Sequence, residues 1–165
     1  MKHPELNIRV ATEADIPLIL QFIRDLAEYE RLADKVVATE DTLRTALFGH
    51  PRFAEVLIGE ADGQPAGFAL FFHNFSTFLG RPGIYLEDLF VKPEFRGRGY
   101  GKTLLARLAA IARARDCGRL EWAVLTWNEP AIEFYKKLGA NPLDDWKVFR
   151  LTGEALEKLA RTGAG

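Results

Sequence analysis

Cysteine is almost missing from this chain: Cys117 is the only one among 165 residues. No intrachain disulfide can form, and a reducing compartment is expected. Histidine is scarce too. His3, His50 and His73 stand far apart with no HExxH or CxxC companion, so no metal site is expected. No apolar run approaches the roughly 20 residues that a membrane helix needs, so no membrane partner is expected. Met1-Lys2-His3-Pro4-Glu5 lacks the hydrophobic region of a signal peptide, which makes cytoplasmic the default location. Excess charge is lacking as well. The formal net charge is −1, so bulk electrostatics gives no reason to expect a nucleic-acid partner. Internal repeats, low-complexity tracts and linkers are also absent, which predicts one domain over residues 1–165 with its core at about 7–152.

What is present alternates between strand and helix patterns, an α/β (mixed α+β) class. Ile8-Arg9-Val10 predicts a short first strand. Thr12 to Asp15 has the spacing of a capping box, and Ile16, Ile19, Leu20, Ile23 and Leu26 follow at helical intervals up to about Tyr29-Glu30-Arg31. A second helix is predicted over about Thr39 to Phe48, ended by Gly49-His50-Pro51. Two strands, roughly Ala54–Glu60 and Ala66–His73, are joined by Asp62-Gly63, a strong hairpin signal. Phe71, Phe72, Phe75 and Phe78 read as core and loop-packing residues, and Gly80-Arg81-Pro82-Gly83 as a turn.

The next stretch organises the chain. Ile84-Tyr85-Leu86-Glu87 alternates cleanly, then the period is lost at Asp88 and Leu89-Phe90-Val91 is continuously apolar. A lost period means either a bulge that redirects side chains or burial on both faces. Arg96-Gly97-Arg98-Gly99-Tyr100-Gly101 follows, and Lys102-Thr103-Leu104-Leu105 opens an amphipathic helix with Leu104, Leu108, Ile111 and Ala112 on one face. A flexible loop at a helix start offers free N–H groups and the positive end of the helix dipole, a seat for phosphate, here with Arg96 and Arg98 beside it. Beyond Asp116-Cys117-Gly118, a strand is predicted over Leu120–Leu125, a short helix from Asn128-Glu129-Pro130 to Gly139, a last strand over Trp146–Leu151, and a terminal helix over Glu154–Ala160 with Leu156 and Leu159 inward.

Spacing separates the phosphate-loop readings. The Walker A pattern fails because its first glycine would fall on Arg96, and the dinucleotide fingerprint fails because its third would fall on Lys102. Arg-x-x-Gly-x-Gly is met by Arg96, Gly99 and Gly101. On these residues the sequence resembles the GNAT superfamily of acetyl-coenzyme-A-dependent N-acetyltransferases. Tyr85 to Val91, Ala27-Glu28-Tyr29-Glu30, and Trp127-Asn128-Glu129-Pro130-Ala131-Ile132-Glu133-Phe134-Tyr135-Lys136 are similar to its spermidine/spermine (diamine) acetyltransferase branch. The likeness runs from about Ile8 to Leu151.

The resemblance implies the GNAT fold: a central, mostly antiparallel sheet of six to seven strands, a splayed fourth and fifth strand pair, and flanking helices. It implies acetyl-CoA as co-substrate, without metal, and direct attack by a small polycationic amine such as a polyamine; thialysine or lysine-like amino acids are the alternative. Coenzyme contacts fall on Leu89, Phe90, Val91, Arg96, Gly97, Arg98, Gly99, Tyr100, Gly101, Lys102, Asn128, Ala131 and Tyr135. Substrate contacts fall on or beside Tyr29, Glu30, Glu87, Asp88, Glu121, Trp122 and Ala123. An alkyl ammonium of pKa about 10.4 is about one part in 2,500 neutral at pH 7, so a carboxylate must receive its proton. Glu87 is the expected acceptor. Tyr135 is expected to reprotonate the departing thiolate, although periodicity alone reads it as a core aromatic. Ala131 departs from the serine usual in the branch, and Lys102 from a small residue. A homodimer is expected by analogy. Two rivals are a non-catalytic acyl-CoA-binding module and a nucleotide triphosphatase built on Gly101-Lys102-Thr103.

Overall fold

β1 (Asn7–Val10), β2 (Glu55–Ala61), β3 (Gln64–Ser76), β4 (Arg81–Val91) and β5 (Leu120–Trp122) form one sheet in the order β1-β2-β3-β4-β5. The first four are antiparallel and β5 joins β4 in parallel. The computed structural model describes residues 5–163. They divide at Leu125/Thr126 into two compact units, and the whole sheet belongs to the first. Residues 1–4, which carry the signal-peptide reading and His3, lie outside the described residues.

The hairpin β2–β3 turns on Asp62 and Gly63, both at positive φ (52° and 72°), as the Asp-Gly pair predicts. The β3–β4 hairpin is longer than the sequence suggests. Ser76 pairs with Arg81, Phe75 with Pro82 and Asn74 with Gly83, so residues 77–80 make the turn and Arg81 starts the strand. Pro82 is tolerated because its main chain faces away from β3: its carbonyl accepts from the Gly118 N–H at 2.9 Å, so its missing N–H removes no bond of the β3–β4 ladder. Phe75 and Phe78 flank this turn and are exposed at 60% and 99%, so of the four phenylalanines only Phe71 is fully core.

α1 (Ile16–Tyr29) and α2 (Glu40–Phe48) cover one face of the sheet. The predicted capping box is present: Asp15 accepts from the Thr12 N–H at 2.7 Å and takes both Arg9 terminal nitrogens at 2.7 and 2.8 Å. Arg9 Nε reaches Glu60 at 2.8 Å, so the helix start is pinned to β1 and β2. Ile16, Ile19 and Phe22 are fully buried, and the Phe22 ring stacks on Phe68 with centroids 5.1 Å apart. Burying a side chain of that kind stabilises by about 1.5–3 kcal/mol. α3 (Tyr100–Ala114) covers the other face with Leu104, Leu105, Leu108 and Ala112. Arg115, just past its end, forks onto Glu55 of β2 at 2.6 and 2.8 Å.

The lost period at Asp88 is a bulge. Leu86 faces Phe71 and Asp88 faces Leu70, leaving Glu87 as the extra residue. Without it Asp88 would follow Leu86 onto the α3 face. With it, Asp88 shares the α1 face with Leu70 and Phe90.

The second unit holds α4 (Glu129–Lys137) and α5 (Gly153–Thr162). Asn128 caps α4, accepting from the Ala131 N–H at 3.4 Å, and Gly139 ends it at φ 89°. The predicted strand over 146–151 is not formed among the described residues: Trp146, Val148 and Phe149 are exposed and have no ladder partner. Alternation supplies two faces but not a neighbouring strand, and a strand needs both. Leu156 and Leu159 of α5 are also about half exposed, not inward. Among the described residues the sheet accordingly counts five strands rather than six or seven, and β5 stops at Trp122 rather than Leu125.

Candidate functional site

The parallel pairing of β4 with β5 covers only Ile84, Tyr85 and Leu86, opposite Leu120, Glu121 and Trp122. From Glu87 to Val91, β4 runs on with β3 on one side and, among the described residues, no strand on the other. Alternate residues of that stretch turn their N–H and C=O groups away from β3. This one-sided stretch is the splayed fourth and fifth strand pair: Lys92 N–H, like the Phe90 main chain, turns toward β3, whereas Leu89 and Val91 turn away from it.

Residues 92–99 carry the chain from this edge to α3. Gly97 and Gly99 sit at φ 75° and 83°, and Gly99 is the N-cap of α3. A left-handed cap of this kind costs a residue with a Cβ about 1–2 kcal/mol, which is why glycine stands there. Added Cβ atoms at Gly97, Gly99 and Gly101 would meet nothing within 4 Å, so the loop is open on its outer side. The first-turn N–H groups of Gly101 and Lys102 lack the partner four residues back that the helix interior supplies. Thr103 is the first to find one, on the Gly99 carbonyl at 3.0 Å. An uncluttered row of amides at a positive helix end suits the diphosphate of a coenzyme.

The two arginines make contacts within the protein. Arg98 donates to the Glu94 carbonyl at 3.0 Å and lies over Phe95 at 5.2 Å. Arg96 donates through Nε to the Val91 carbonyl at 2.9 Å, with its guanidinium 4.8 Å from the Tyr29 ring centre and 5.5 Å from that of Phe90. Arg98 thus holds the loop's own fold, while Arg96 joins the loop to β4 and to the end of α1. Lys102 is exposed on the first turn of α3, and Tyr100 is buried in the core.

The acids gather on the α1 side of β4. Asp88 is mostly buried and its carboxyl is pushed up to about 6, by burial first and then by the charges of Glu87 and Glu30. Burial also raises Glu30, at the end of α1. Glu87, on the bulge, is exposed. No cation pairs with these three among the described residues. The Tyr85 hydroxyl is raised too, by burial and then by Glu87 and Glu121. Glu121 behaves differently: it pairs with Arg119 and accepts from Asn74 Nδ2 at 3.2 Å. Its charge is largely answered within the protein. Trp122 lies opposite Leu86 in the β4–β5 ladder, and Ala123 is exposed just past the strand.

Sequence reasoning missed Asn74, since nothing local marks a residue 47 positions away as the partner of Glu121, and it passed over Arg119, whose spacing of two from Glu121 along an extended segment was a local signal. It also gave Asp88 second place to Glu87, because the reversal of faces depends on the bulge. In the second unit Asn128 is buried and caps α4, Ala131 donates to it, and the Tyr135 ring lies 5.3 Å from that of Phe134.

Residues 20–140 match the model of the Acetyltransferase (GNAT) family. A thialysine N-epsilon-acetyltransferase of Bos taurus is 43% identical over 93% of this chain and 96% of its own length. An L-ornithine N5-acetyltransferase of Arabidopsis thaliana is 32% identical over 93% of this chain and 87% of its own. Among solved structures, an integron cassette protein from the mobile metagenome of V. cholerae superposes with a TM-score of 0.80 at 28% identity, covering 98% of this chain and 99% of that one.

Proposed function

The chain belongs to the acetyltransferase (GNAT) family as an acetyl-CoA-dependent amine N-acetyltransferase, and from that premise we propose that its acceptor is the side-chain amine of a small diamino acid. The observation that carries this reading is the distribution of charge. Glu30, Glu87 and Asp88 concentrate uncompensated carboxylate at one place, whereas Glu121, the next acid along, is covered by Arg119. A polyamine calls for carboxylates spaced along a groove. A zwitterion calls for acids at one end and a cation at the other, and relatives named for thialysine and ornithine support that class.

In the proposed reaction the coenzyme supplies an activated acetyl thioester. The amides of residues 97–102 and the open edge of β4 at 89–91 bind it, with Asn128 and Ala131 as further contacts. Glu87 receives the amine proton, directly or through water. Asp88 lies beside it with a carboxyl close to neutrality, and two adjacent acids of this kind titrate as a pair. Removing the proton from an alkyl ammonium at pH 7 costs about 4.6 kcal/mol, so an acid poised near the working pH is the better acceptor. Tyr135 returns a proton to the departing thiolate. A homodimer is part of the proposal, to be read by light scattering.

The test is acetyl-CoA consumption with thialysine, lysine, ornithine, spermidine, spermine and putrescine. The highest kcat/KM is expected among the three amino acids. A polyamine exceeding all of them would overturn the acceptor, and coenzyme binding with no turnover on any amine would overturn the catalytic reading itself.

A further inference from the structure

Within the reading of Glu30, Glu87 and Asp88 as the amine site, we propose that Arg96 is a positioning residue for the amine and not a phosphate ligand, tying the end of α1 to β4 and so fixing Tyr29 and Glu30 beside Asp88. The starting point is rigid. Phe90 is 4% exposed, sits opposite Phe68 in the β3–β4 ladder and meets Phe22 edge-on at 6.3 Å. Arg96 closes the turn after β4 by donating to the Val91 carbonyl, and its guanidinium lies against both Phe90 and Tyr29. Tyr29 is the last residue of α1 and Glu30 is its C-cap. The chain then turns away through Arg31 at φ 61°. A helix end of this kind frays unless something holds it.

Two consequences follow. One face of the Tyr29 ring is occupied by the guanidinium, so the cationic amine is left to the carboxylates. The planar fork is also needed, because one side chain donates to a carbonyl and lies against two rings together. A lysine ammonium keeps the charge but cannot do both.

The experiment measures amine KM, kcat and coenzyme Kd by calorimetry for Arg96→Ala, Arg96→Lys, Tyr29→Leu and the Ala/Leu double variant. Losing the stacked cation and its hydrogen bond is expected to raise amine KM about five- to tenfold in Arg96→Ala, with coenzyme Kd within about twofold. Arg96→Lys is expected to rescue less than half of that loss. In the Tyr29→Leu background, removing Arg96 is expected to change amine KM less than about twofold, as for two groups that act through one contact. A coenzyme Kd that rises more than amine KM, or full rescue by lysine, would make Arg96 a phosphate ligand and overturn the proposal. A fall in amine KM on removing the positive charge would overturn it as well.

Hydrogen exchange gives a readout independent of turnover. The amides of Glu30, Arg31 and Leu32 donate to Leu26, Glu28 and Ala27 carbonyls at 2.9, 3.0 and 2.7 Å. They are expected to exchange about tenfold faster in Arg96→Ala. Unchanged exchange would sink the proposal even in a protein that acetylates none of the amines tried, an outcome that would separately remove the acceptor reading.

Discussion

The glycine loop and the acid patch lie at the two ends of one short stretch, Glu87 to Gly101, and they are built on opposite principles. The loop works through main chain. Gly97 and Gly99 stand at positive φ, the outer side is open, Arg98 serves the loop's own geometry, and Arg96 joins the loop to Tyr29 of α1. The patch works through side chains whose charge the fold tolerates poorly. Asp88 is brought onto the α1 face by one inserted residue and held there against burial and two neighbouring acids. A backbone device is cheap to keep and robust to side-chain change, whereas a side-chain device strains the fold that carries it. Each substitution below tests that contrast.

The largest effects belong to the patch. Glu87→Gln and Asp88→Asn are each expected to lower kcat by about 10²–10³, the usual worth of a positioned base, while coenzyme Kd stays within about twofold. The acid limb of kcat/KM is expected to fall as pH drops through about 6, where Asp88 takes up its proton. Because the Glu87 charge is one cause of that high value, the limb is expected to move to lower pH in Glu87→Gln. Stopped-assay pH profiles of the two proteins check this. An unmoved limb would separate Asp88 from the chemistry.

The same residue provides the next test, on stability. Folding raises the Asp88 carboxyl from 3.8 to about 6, so the folded state binds that proton more tightly than the unfolded chain. Its contribution is therefore greatest below about pH 4 and is lost as pH rises through 6. Asp15 has the opposite sign: Arg9 lowers it from 3.8 to about 2, so its contribution is present above 3.8 and lost only as pH falls toward 2. Asp88→Asn is expected to raise the unfolding free energy at pH 7 by about 1–2 kcal/mol, and to flatten its pH dependence between about 4 and 6. Urea unfolding at several pH values measures it. A variant that is less active and more stable is the signature of a site that strains its fold.

Gly99→Ala moves the comparison to the loop. The added Cβ meets nothing, so the whole cost is the conformation at φ 83°. About 1–2 kcal/mol of backbone strain is expected to weaken coenzyme binding by about tenfold. Asparagine, which tolerates this region better, is expected to recover part of the loss. Titration of coenzyme by calorimetry distinguishes them, and equal losses would mean that the cost is contact and not conformation.

The same division explains what could be read from the chain. The loop was legible because spacing is local: Arg96, Gly99 and Gly101 lie within six positions, and positive φ advertises itself as glycine. Asp62-Gly63 and Thr12–Asp15 were legible for the same reason. The lost period at Asp88 announced an irregularity, but only the partner strand decides between a bulge and two-sided burial. Nothing near Glu121 pointed to Asn74, although Arg119, two positions away, could have been read as its partner, and nothing in Trp146–Leu151 could supply the missing neighbour that would have made it a strand. Phe75 and Phe78 misled because hydrophobicity reports a preference for burial, while the length of the β3–β4 hairpin decides whether anything covers them.

The smallest effect is a charge acting without a fixed geometry. Lys102 stands exposed on the first turn of α3, beside the amides that the diphosphate is proposed to occupy. An exposed ammonium near an anion contributes through solvent, where interactions of this kind are worth about 0.2–1 kcal/mol and are screened within about 10 Å at 0.1 M salt. Lys102→Ala is therefore expected to raise coenzyme Kd about twofold at low ionic strength, and the difference is expected to close by about 0.5 M salt. Gly99→Ala acts through backbone strain, so its tenfold loss is expected to persist across the same salt range. Parallel salt titrations of the two variants separate the two kinds of contribution inside one loop. A Lys102→Ala deficit that survived high salt would mean a direct, fixed contact, and the loop would then depend on a side chain as much as on its main chain.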